Sequence, residues 1–445
     1  EEDGDNNNNN NDDDDEYDDD DNDYEDRSTT EWIALLREGS TKDKIYSAEV
    51  LCDLSVDKEI ANKIVREGAT FLLIALLRDG DRAGKEAAIS AIHNLALSSD
   101  IAIQMVKEGV VEPLLTCLGR EHGDRCVNAA LQVLCCLASY SNNEDQIVKS
   151  GAIPLLIAML GEGCELKKAR AVSTLSFFVE HEESAVAIAR EGGITPLIAL
   201  LRDSSDAKIK FAVSGILFYL AKNAQISVEI VEKGGIAQLI SLLRNGTARS
   251  AFNAAGALSV LAKNEKNKVT IAREGAIPPL ITLLRDGKGI HKANAADALY
   301  SLAMISENRV EIVQQDAIAL LIPLLHDSNN EIKTTAAKGL RILAVSVSEK
   351  GEIMSHGGVE LLIALLRDGS SAQAQTMAAG VLCNIATEID IQVEIVKKGG
   401  ISPLMTLLGD GTDEGKMNAL QTLLTLSIQQ RHRNTMVKVG VVDPL

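Results

Sequence analysis

The sequence predicts an all-α fold, a solenoid of about ten three-helix repeats. Three observations support this prediction. A pattern of glycine, proline and apolar residues recurs every 41 or 42 residues along most of the chain. Apolar residues make up 46% of the chain but aromatic residues only 3%, as expected for cores filled by alanine and leucine. A single repeat is too thin to bury its own apolar face, so neighbouring copies must cover one another.

The clearest copy of the repeat runs from Glu274 to Gln315. Gly275 is followed by two prolines, a residue type that the first turn of a helix tolerates because the missing N–H is not needed there. This helix is expected to end at Gly287, since glycine favours the left-handed cap. Apolar residues at helical spacing then predict a longer helix over about 292–303 and a short one over about 308–313.

One glycine recurs at the junction between consecutive repeats, and we expect it to adopt a positive φ, which glycine does without steric cost. Asp316 takes its place in the eighth repeat, where an aspartate tolerates this conformation better than most residues. In the same repeat Pro323 falls inside a helix and predicts a kink or a shortened helix. The junction glycines are Gly68, Gly109, Gly151, Gly192, Gly234, Gly275, Gly357, Gly399 and Gly440.

The chain divides into an acidic low-complexity segment over residues 1–30 and a repeat region over residues 31–445. Residues 1–26 contain 16 acidic residues and no Lys or Arg, so we expect this segment to be disordered. Without it, 48 acidic residues face 44 basic ones, which argues against nucleic-acid binding by overall charge. The last residues, from Gly440, open another copy, and we therefore expect that the sequence truncates a longer solenoid.

The sequence shows no pattern typical of a catalytic, metal or membrane protein. The seven histidines are scattered, and a phosphate-loop-like stretch over 409–417 has Met417 in place of Ser or Thr. No apolar run approaches the ~18–20 residues of a membrane span. Seven cysteines without C-x-x-C spacing indicate reduced core thiols in an intracellular protein, cytoplasmic or nuclear. We therefore predict a protein that is not an enzyme, has no cofactor and takes no small-molecule substrate.

The motifs G-[AGV]-[IV]-x-P-L and A-x-x-x-L-x-N-L-A resemble those of the armadillo repeat over residues 31–445, and most closely those of vacuolar and plant-type armadillo proteins. The resemblance implies a right-handed superhelix in which the third helix of each repeat lines a concave groove. In importin-α and β-catenin, an asparagine on this helix binds the backbone of an extended peptide. At the matching positions here only Asn94 and Asn384 fit, and no position matches the tryptophans of importin-α.

Further groove residues follow from the same resemblance. Phe178 and Tyr219 occupy consecutive matching positions, and glycines one helical turn before Tyr219 and its successor leave space beside the rings. Alternatively, these rings turn inward and fill the core. Asn253 and Asn294 lie further back on the same face and could bond a peptide backbone. The predicted partner-binding site comprises Asn94, Phe178, Tyr219, Asn253, Asn294 and Asn384.

Three hypotheses of function remain open at this point. The first is a non-catalytic scaffold or adaptor that binds an extended peptide or helix of a partner protein in its groove. The second is a nuclear transport adaptor of the importin-α type, against which the missing tryptophans argue. The third is the substrate-binding region of a larger ubiquitin ligase.

Overall fold

A computed structural model describes residues 27–119, 123–162, 164–369 and 371–438, which form helices and turns without any β-strand. Most of the acidic segment (1–26) and the turn at Gly440 lie outside the described residues. The chain forms two compact units, and the second unit begins at Glu144. Within the described residues we find nine complete three-helix repeats and the last two helices of an earlier one, which confirms the predicted fold class.

The first unit contains the incomplete repeat (α1 and α2) and two complete repeats (α3–α5 and α6–α8). Its helices are α1 (Thr29–Glu38), α2 (Thr41–Leu54), α3 (Lys58–Arg66), α4 (Ala69–Asp79), α5 (Arg82–Leu95), α6 (Ser99–Lys107), α7 (Val111–Thr116) and α8 (Asp124–Ala138), followed by a 3-10 turn at Ser141–Asn143.

The second unit contains seven repeats, beginning with α9–α11 and ending with α27–α29, and one further helix, α30. The helices of its first four repeats are α9 (Glu144–Lys149), α10 (Ala152–Glu162), α11 (Glu165–Phe178), α12 (Glu182–Arg190), α13 (Ile194–Asp203), α14 (Ala207–Leu220), α15 (Ala224–Glu232), α16 (Gly235–Asn245), α17 (Ala248–Leu261), α18 (Glu265–Arg273), α19 (Ile277–Asp286) and α20 (Ile290–Leu302).

The remaining helices of this unit are α21 (Ser306–Gln314), α22 (Ala317–Leu321), α23 (Asn330–Leu343), α24 (Val347–Ser355), α25 (Gly358–Asp368), α26 (Ala372–Ile385), α27 (Ile389–Lys397), α28 (Ile401–Asp410), α29 (Asp413–Ser427) and α30 (Gln430–Lys438), with a 3-10 helix at Ile322–His326.

Within each unit, the third helix of one repeat packs against the third helix of the next. In the first unit α5 lies between α2 and α8, and in the second unit α11, α14, α17, α20, α23, α26 and α29 pack in that order. Helix α14 shows how such a helix forms. Asp206 caps its N-terminus, and apolar side chains from Ile209 to Leu220 at helical spacing bury one side. We call the opposite, solvent-facing side of these helices the third-helix face of each unit.

The predicted glycine turns are present at every described junction. The φ angles of these glycines lie in the left-handed region, for example 81° at Gly68 and 74° at Gly357. Asp316 has a φ of 59° and is the one described non-glycine residue with a positive φ. A Cβ atom added at Gly357 would meet no atom within 4 Å, so the preference for glycine there comes from the backbone and not from crowding.

Asp316 offers a direct test of this backbone preference. We expect Asp316→Gly to raise the free energy of unfolding by about 0.5–1 kcal/mol, because a residue with a Cβ atom is strained in the left-handed region. The converse change, Gly357→Ala, should lower it by about 1–2 kcal/mol. Urea denaturation followed by circular dichroism measures both. Equal stability of the Asp316→Gly variant and the wild type would show that the aspartate is unstrained.

Pro323 shortens its helix as the sequence predicts. Helix α22 ends at Leu321 after five residues, and the chain continues as a 3-10 helix over Ile322–His326. Proline at the second position of that segment lacks the N–H that an α-helix would need for its i→i−4 hydrogen bond. The eighth repeat therefore has a second helix built from two short pieces.

Glu144, at the start of α9, is a buried carboxylate with an incomplete set of partners. Its Oε2 atom lies 2.9 Å from Nε2 of His181, whereas Oε1 has no hydrogen-bond partner. Burial raises the pKa of Glu144, and the nearby His181 partly offsets that shift. Because the raised pKa belongs to the folded state, the ionised carboxylate opposes folding, and stability falls as the pH rises through this pKa.

Removing this charge should stabilise the protein. We expect Glu144→Gln to raise the free energy of unfolding by on the order of 1 kcal/mol near pH 7, because a buried, partly unpaired charge is costly. Near pH 4 the gain should shrink, since the wild-type carboxyl is then largely protonated. The exposed Glu182 provides the control, because Glu182→Gln should leave stability unchanged at both pH values. Destabilisation by Glu144→Gln near pH 7 would mean that the contact with His181 outweighs burial.

Candidate functional site

The predicted site asparagines of the second unit use their amide nitrogens within the fold. Asn253 Nδ2 donates to the backbone oxygen of Phe211 at 3.3 Å, and Asn294 Nδ2 donates to that of Phe252 at 3.1 Å. Each bond joins one third helix to the preceding one. The amide oxygens of both asparagines accept no hydrogen bond from any described residue, so they remain available as acceptors for a partner.

The two asparagines at the family-type positions behave in the same way. Asn94 Nδ2 donates to the backbone oxygen of Cys52 at 3.0 Å in the first unit. Asn384 Nδ2 donates to that of Arg341 at 3.0 Å in the second. Asn94 is half-buried and Asn384 is exposed. All four asparagines therefore lie on a third-helix face, and each holds two neighbouring repeats together.

Glycines in the preceding helix make room for these amides. A Cβ atom at Gly215 would lie 3.3 Å from Asn253 Nδ2, and one at Gly256 would lie 2.8 Å from Asn294 Nδ2 and 3.0 Å from the ring of Phe218. The sequence suggested that these glycines leave open space beside aromatic rings. That interpretation is wrong, because the asparagine of the next repeat, and at Gly256 the Phe218 ring as well, fill the space.

Phe178 does not lie on the third-helix face. Its side chain is completely buried, so it cannot contact a partner, and the alternative that this ring fills the core is correct. The reason is a difference in loop length. Helix α11 begins 14 residues after Gly151, whereas α14 begins 15 residues after Gly192, so Phe177 rather than Phe178 is the equivalent of Tyr219.

Tyr219 lies at the surface but is held by its neighbours. The side chain is half-buried, and its hydroxyl donates to Glu180 Oε1 at 2.9 Å. This hydrogen bond to the carboxylate raises the pKa of Tyr219. Lys222 Nζ lies 4.1 Å from the centroid of the Tyr219 ring and 4.9 Å from that of Phe218. A partner that stacks on Tyr219 has to displace this lysine.

Two phenylalanines that the sequence-based prediction did not include in the site are exposed on the third-helix face. Phe177 is 37% exposed and Phe211 is 38% exposed. Phe252, one repeat after Phe211, is half-buried, and its ring centroid lies 5.1 Å from that of His291. The sequence signal was the concentration of phenylalanines in repeats four to six, which marks this region even though it does not identify the exposed rings.

Further along the second unit, between α20 and α26, the third-helix face has a polar cavity. A cavity of about 410 Å³ lies between α20, α23 and α26, and carboxylates of Asp297 and Glu331 line it together with Lys338. Beyond this cavity Arg341 on α23 reaches across α26 and donates to Glu414 on α29 at 2.7 Å. This ion pair therefore links the third helices of the eighth and tenth repeats.

The described residues contain no group of three or more His, Cys, Asp or Glu side chains that could hold a metal ion. No single helix in the described ranges is long and apolar enough to cross a membrane, and one pair, α12 and α13, meets the length and composition criteria only as two helices bent by 81°. All seven cysteines are free, but Cys164 is exposed, so the prediction that every cysteine is a core thiol is wrong for this residue.

Comparison of the sequence with protein families gives two matches. Residues 70–247 match the plant U-box protein ARM repeat region, and residues 264–304 match the armadillo/β-catenin-like repeat. The chain is an armadillo-repeat protein. A comparison with curated proteins found no match for this armadillo-repeat protein.

Solved structures with the same fold include an engineered protein and a structure from work on a phosphorylation switch that controls the interaction between cadherin and β-catenin. The engineered protein has a TM-score of 0.79 and 26% sequence identity, with 90% of this armadillo-repeat protein and 98% of that chain covered. The second structure has a TM-score of 0.79 and 18% identity, with 93% and 85% covered. Both therefore share the armadillo fold with this protein.

Proposed function

We propose that this armadillo-repeat protein is a non-catalytic scaffold that binds an extended segment of a partner protein along the third-helix face of its second unit. The observation that carries this proposal is the exposure of Phe177 and Phe211 on successive third helices. Exposed aromatic side chains provide the apolar contact that dominates most interfaces. Asn253 and Asn294, on the next two third helices α17 and α20, supply free amide oxygens as acceptors for backbone N–H groups of the segment.

The proposal assigns different roles to the rings and to the amides. Phe177 and Phe211 bury apolar surface against the partner and supply most of the affinity. Asn253 and Asn294 fix the register of the bound segment through hydrogen bonds to its backbone, which do not depend on its sequence. Asn94 lies in the first unit and Asn384 in the ninth repeat. In this proposal both residues only join neighbouring repeats and do not contact the partner.

Selection from a random peptide display library, followed by fluorescence anisotropy, tests this proposal. Peptides selected on the wild-type chain should lose at least about tenfold in affinity for the Phe211→Asp and Phe177→Asp variants, because a charge replaces the apolar contact. Phe71 is the matched control, since it is an exposed phenylalanine on α4, which is the second helix of its repeat. Phe71→Asp should bind the peptides as the wild type does.

Circular dichroism should show the same helix content in all three variants, since each replaced ring is partly or largely exposed. Selected peptides that bind Phe211→Asp and Phe177→Asp as tightly as the wild type would contradict the proposal.

A second candidate is that these repeats form the substrate-binding region of a larger ubiquitin ligase. The match of residues 70–247 to the ARM repeat region of plant U-box proteins favours it. The full-length coding sequence decides this point. A U-box sequence, together with ubiquitin transfer by the full-length product, would support the candidate, and a full-length sequence without a catalytic domain would exclude it.

A further inference from the structure

The N-terminal turns of four consecutive third helices carry an excess of cations. The first six residues of α11, α14, α17 and α20 contain seven Lys or Arg residues and one carboxylate, that of Glu165. The corresponding turns of α23, α26 and α29 contain two cations and three carboxylates, so the excess is local. The seven cations are Lys167, Lys168, Arg170, Lys208, Lys210, Arg249 and Lys292.

These positions are unfavourable for cations within the fold itself. The N-terminus of a helix is the positive end of its dipole, and a nearby cation there costs about 0.3–1 kcal/mol. Lys208, Arg249 and Lys292 form no ion pair with any carboxylate of the described chain. Asp206, the acid next to Lys208 in sequence, caps α14 through the backbone N–H of Lys208. Folding therefore gains no ion pair from Lys208, Arg249 or Lys292.

The nearby Glu165 does not neutralise the cluster. Its carboxylate accepts a hydrogen bond from Ser204 Oγ at 2.9 Å and pairs with Lys168 at 3.7 Å. Glu165 thus pairs with Lys168 and is itself tied to the neighbouring repeat. Positive charge remains on α14, α17 and α20.

Cations and aromatic rings alternate on this part of the face at the spacing of the repeat. Phe211 follows Lys208 by three positions, and Phe252 follows Arg249 by three positions, so each pair shares one side of its helix. Lys208 and Arg249 are both exposed. We call this set the basic aromatic strip. It comprises Lys208, Phe211, Arg249, Phe252 and Lys292.

The spacing of the strip constrains what can bind it. Packed helices lie about 8–10 Å apart. An extended peptide advances about 3.3 Å per residue, so it passes from one third helix to the next in about three residues. A segment that follows the strip therefore meets a cation about every third residue, and a phenylalanine ring beside the first two of these cations.

We propose that the basic aromatic strip binds an extended protein segment in which carboxylates recur about every third residue beside apolar side chains. This inference rests on the proposed function and names the chemistry of the partner. The carboxylates pair with Lys208, Arg249 and Lys292, and the apolar side chains contact Phe211 and Phe252. The segment ends towards α23, where Asp297 and Glu331 line the polar cavity and repel further acidic residues.

A protein segment fits the strip better than a nucleic acid does. The chain carries a formal net charge of −20, and its repeat region is close to neutral, so the overall field does not attract a polyanion. The three cations of the strip, Lys208, Arg249 and Lys292, match a short segment with a few carboxylates. Asn253 and Asn294 on α17 and α20 also have amide oxygens that can accept hydrogen bonds from peptide N–H groups.

A synthetic peptide tests the proposal. The probe is a fluorescein-labelled peptide of about 12 residues with the repeating sequence Glu-Leu-Ser, which spans four third helices at the expected spacing. Its anisotropy is titrated with the full chain. We expect it to bind at least about tenfold tighter than the same peptide with Lys in place of Glu, and than the one with Ser in place of Leu. Binding should weaken when NaCl is raised from about 0.05 to about 0.5 M.

Two double variants with the same change in net charge locate the binding surface. Lys208→Glu/Arg249→Glu should weaken binding of the acidic peptide at least about tenfold. Lys266→Glu/Arg273→Glu reverses two exposed charges on the first helix α18, and should leave binding within about twofold of the wild type. Equal weakening by both variants would overturn the strip as the binding surface, since only net charge would then matter.

The remaining outcomes separate this inference from the proposed function. In one outcome the acidic peptide fails to bind while the binding of display-library peptides still depends on Phe211. In that case the partner is not an acidic segment, and the proposed function stands. If the binding of every peptide is independent of Phe211 and Phe177, this inference and the proposed function are both wrong. Tighter binding of a single-stranded dT oligonucleotide of about 12 nucleotides than of the acidic peptide would overturn the proposal in favour of a nucleic-acid site.

Discussion

Replacing Phe178 with alanine should destabilise the second unit by about 3–5 kcal/mol, because the substitution removes a completely buried ring and leaves a cavity. The ring lies at the C-terminal end of α11 with no exposed surface. Urea denaturation followed by circular dichroism measures the loss as a lower midpoint. This is the largest effect that we expect from a single substitution in this protein.

The neighbouring residue provides the control for this experiment. Phe177→Ala should change the free energy of unfolding by no more than about 1 kcal/mol, because Phe177 is partly exposed and its removal leaves a smaller void. The same variant should weaken binding of any peptide that contacts the third-helix face. A larger loss of stability from Phe177→Ala than from Phe178→Ala would show that Phe177, and not Phe178, is the buried ring of α11.

Adding a methyl group at Gly256 should destabilise the protein by about 1–3 kcal/mol, although alanine favours helices more than glycine does. The added Cβ atom would lie 2.8 Å from Asn294 Nδ2 and 3.0 Å from the Phe218 ring, closer than van der Waals contact. The Asn294 amide would have to move, and its hydrogen bond to Phe252 would be weakened. The urea midpoint of the Gly256→Ala variant reports this loss.

Gly351 is the matched position for the opposite result. It lies within α24, and a Cβ atom there would meet no atom within 4 Å. Gly351→Ala should therefore raise the free energy of unfolding by about 0.5–1 kcal/mol, since alanine restricts the unfolded chain and favours the helix. If both glycine variants are stabilised, the contact between Gly256 and Asn294 contributes less than helix propensity does.

The repeat architecture could be predicted from the sequence because its signals recur. A glycine with positive φ is required at every described junction, so one misjudged repeat does not alter the period. Asp316 was identified as the exception at a junction, and the structure gives it the conformation of the glycines that it replaces. Pro323 was identified in the same way, since a proline within a helix has a local and unavoidable effect.

The candidate site was harder to predict because it depends on helix rotation and on neighbouring repeats. One residue fewer between Gly151 and α11 rotates the helix by about 100° relative to the expected register, which moves Phe178 into the core and Phe177 to the surface. The asparagine bonds join residues that are 42 or 43 positions apart. Nothing within a single repeat indicates that the amide nitrogen of Asn253 is already bonded to the helix before it.

The hydrogen bonds that Asn253 and Asn294 make to the preceding helices also limit how the stack can deform. A stack of thin layers behaves as a spring, because each layer touches only its two neighbours. Pulling repeats five, six and seven apart requires both amide bonds to break in addition to the apolar contacts. The distance from Phe211 to Phe252 is therefore maintained under tension. A bound segment meets these two rings at a fixed spacing.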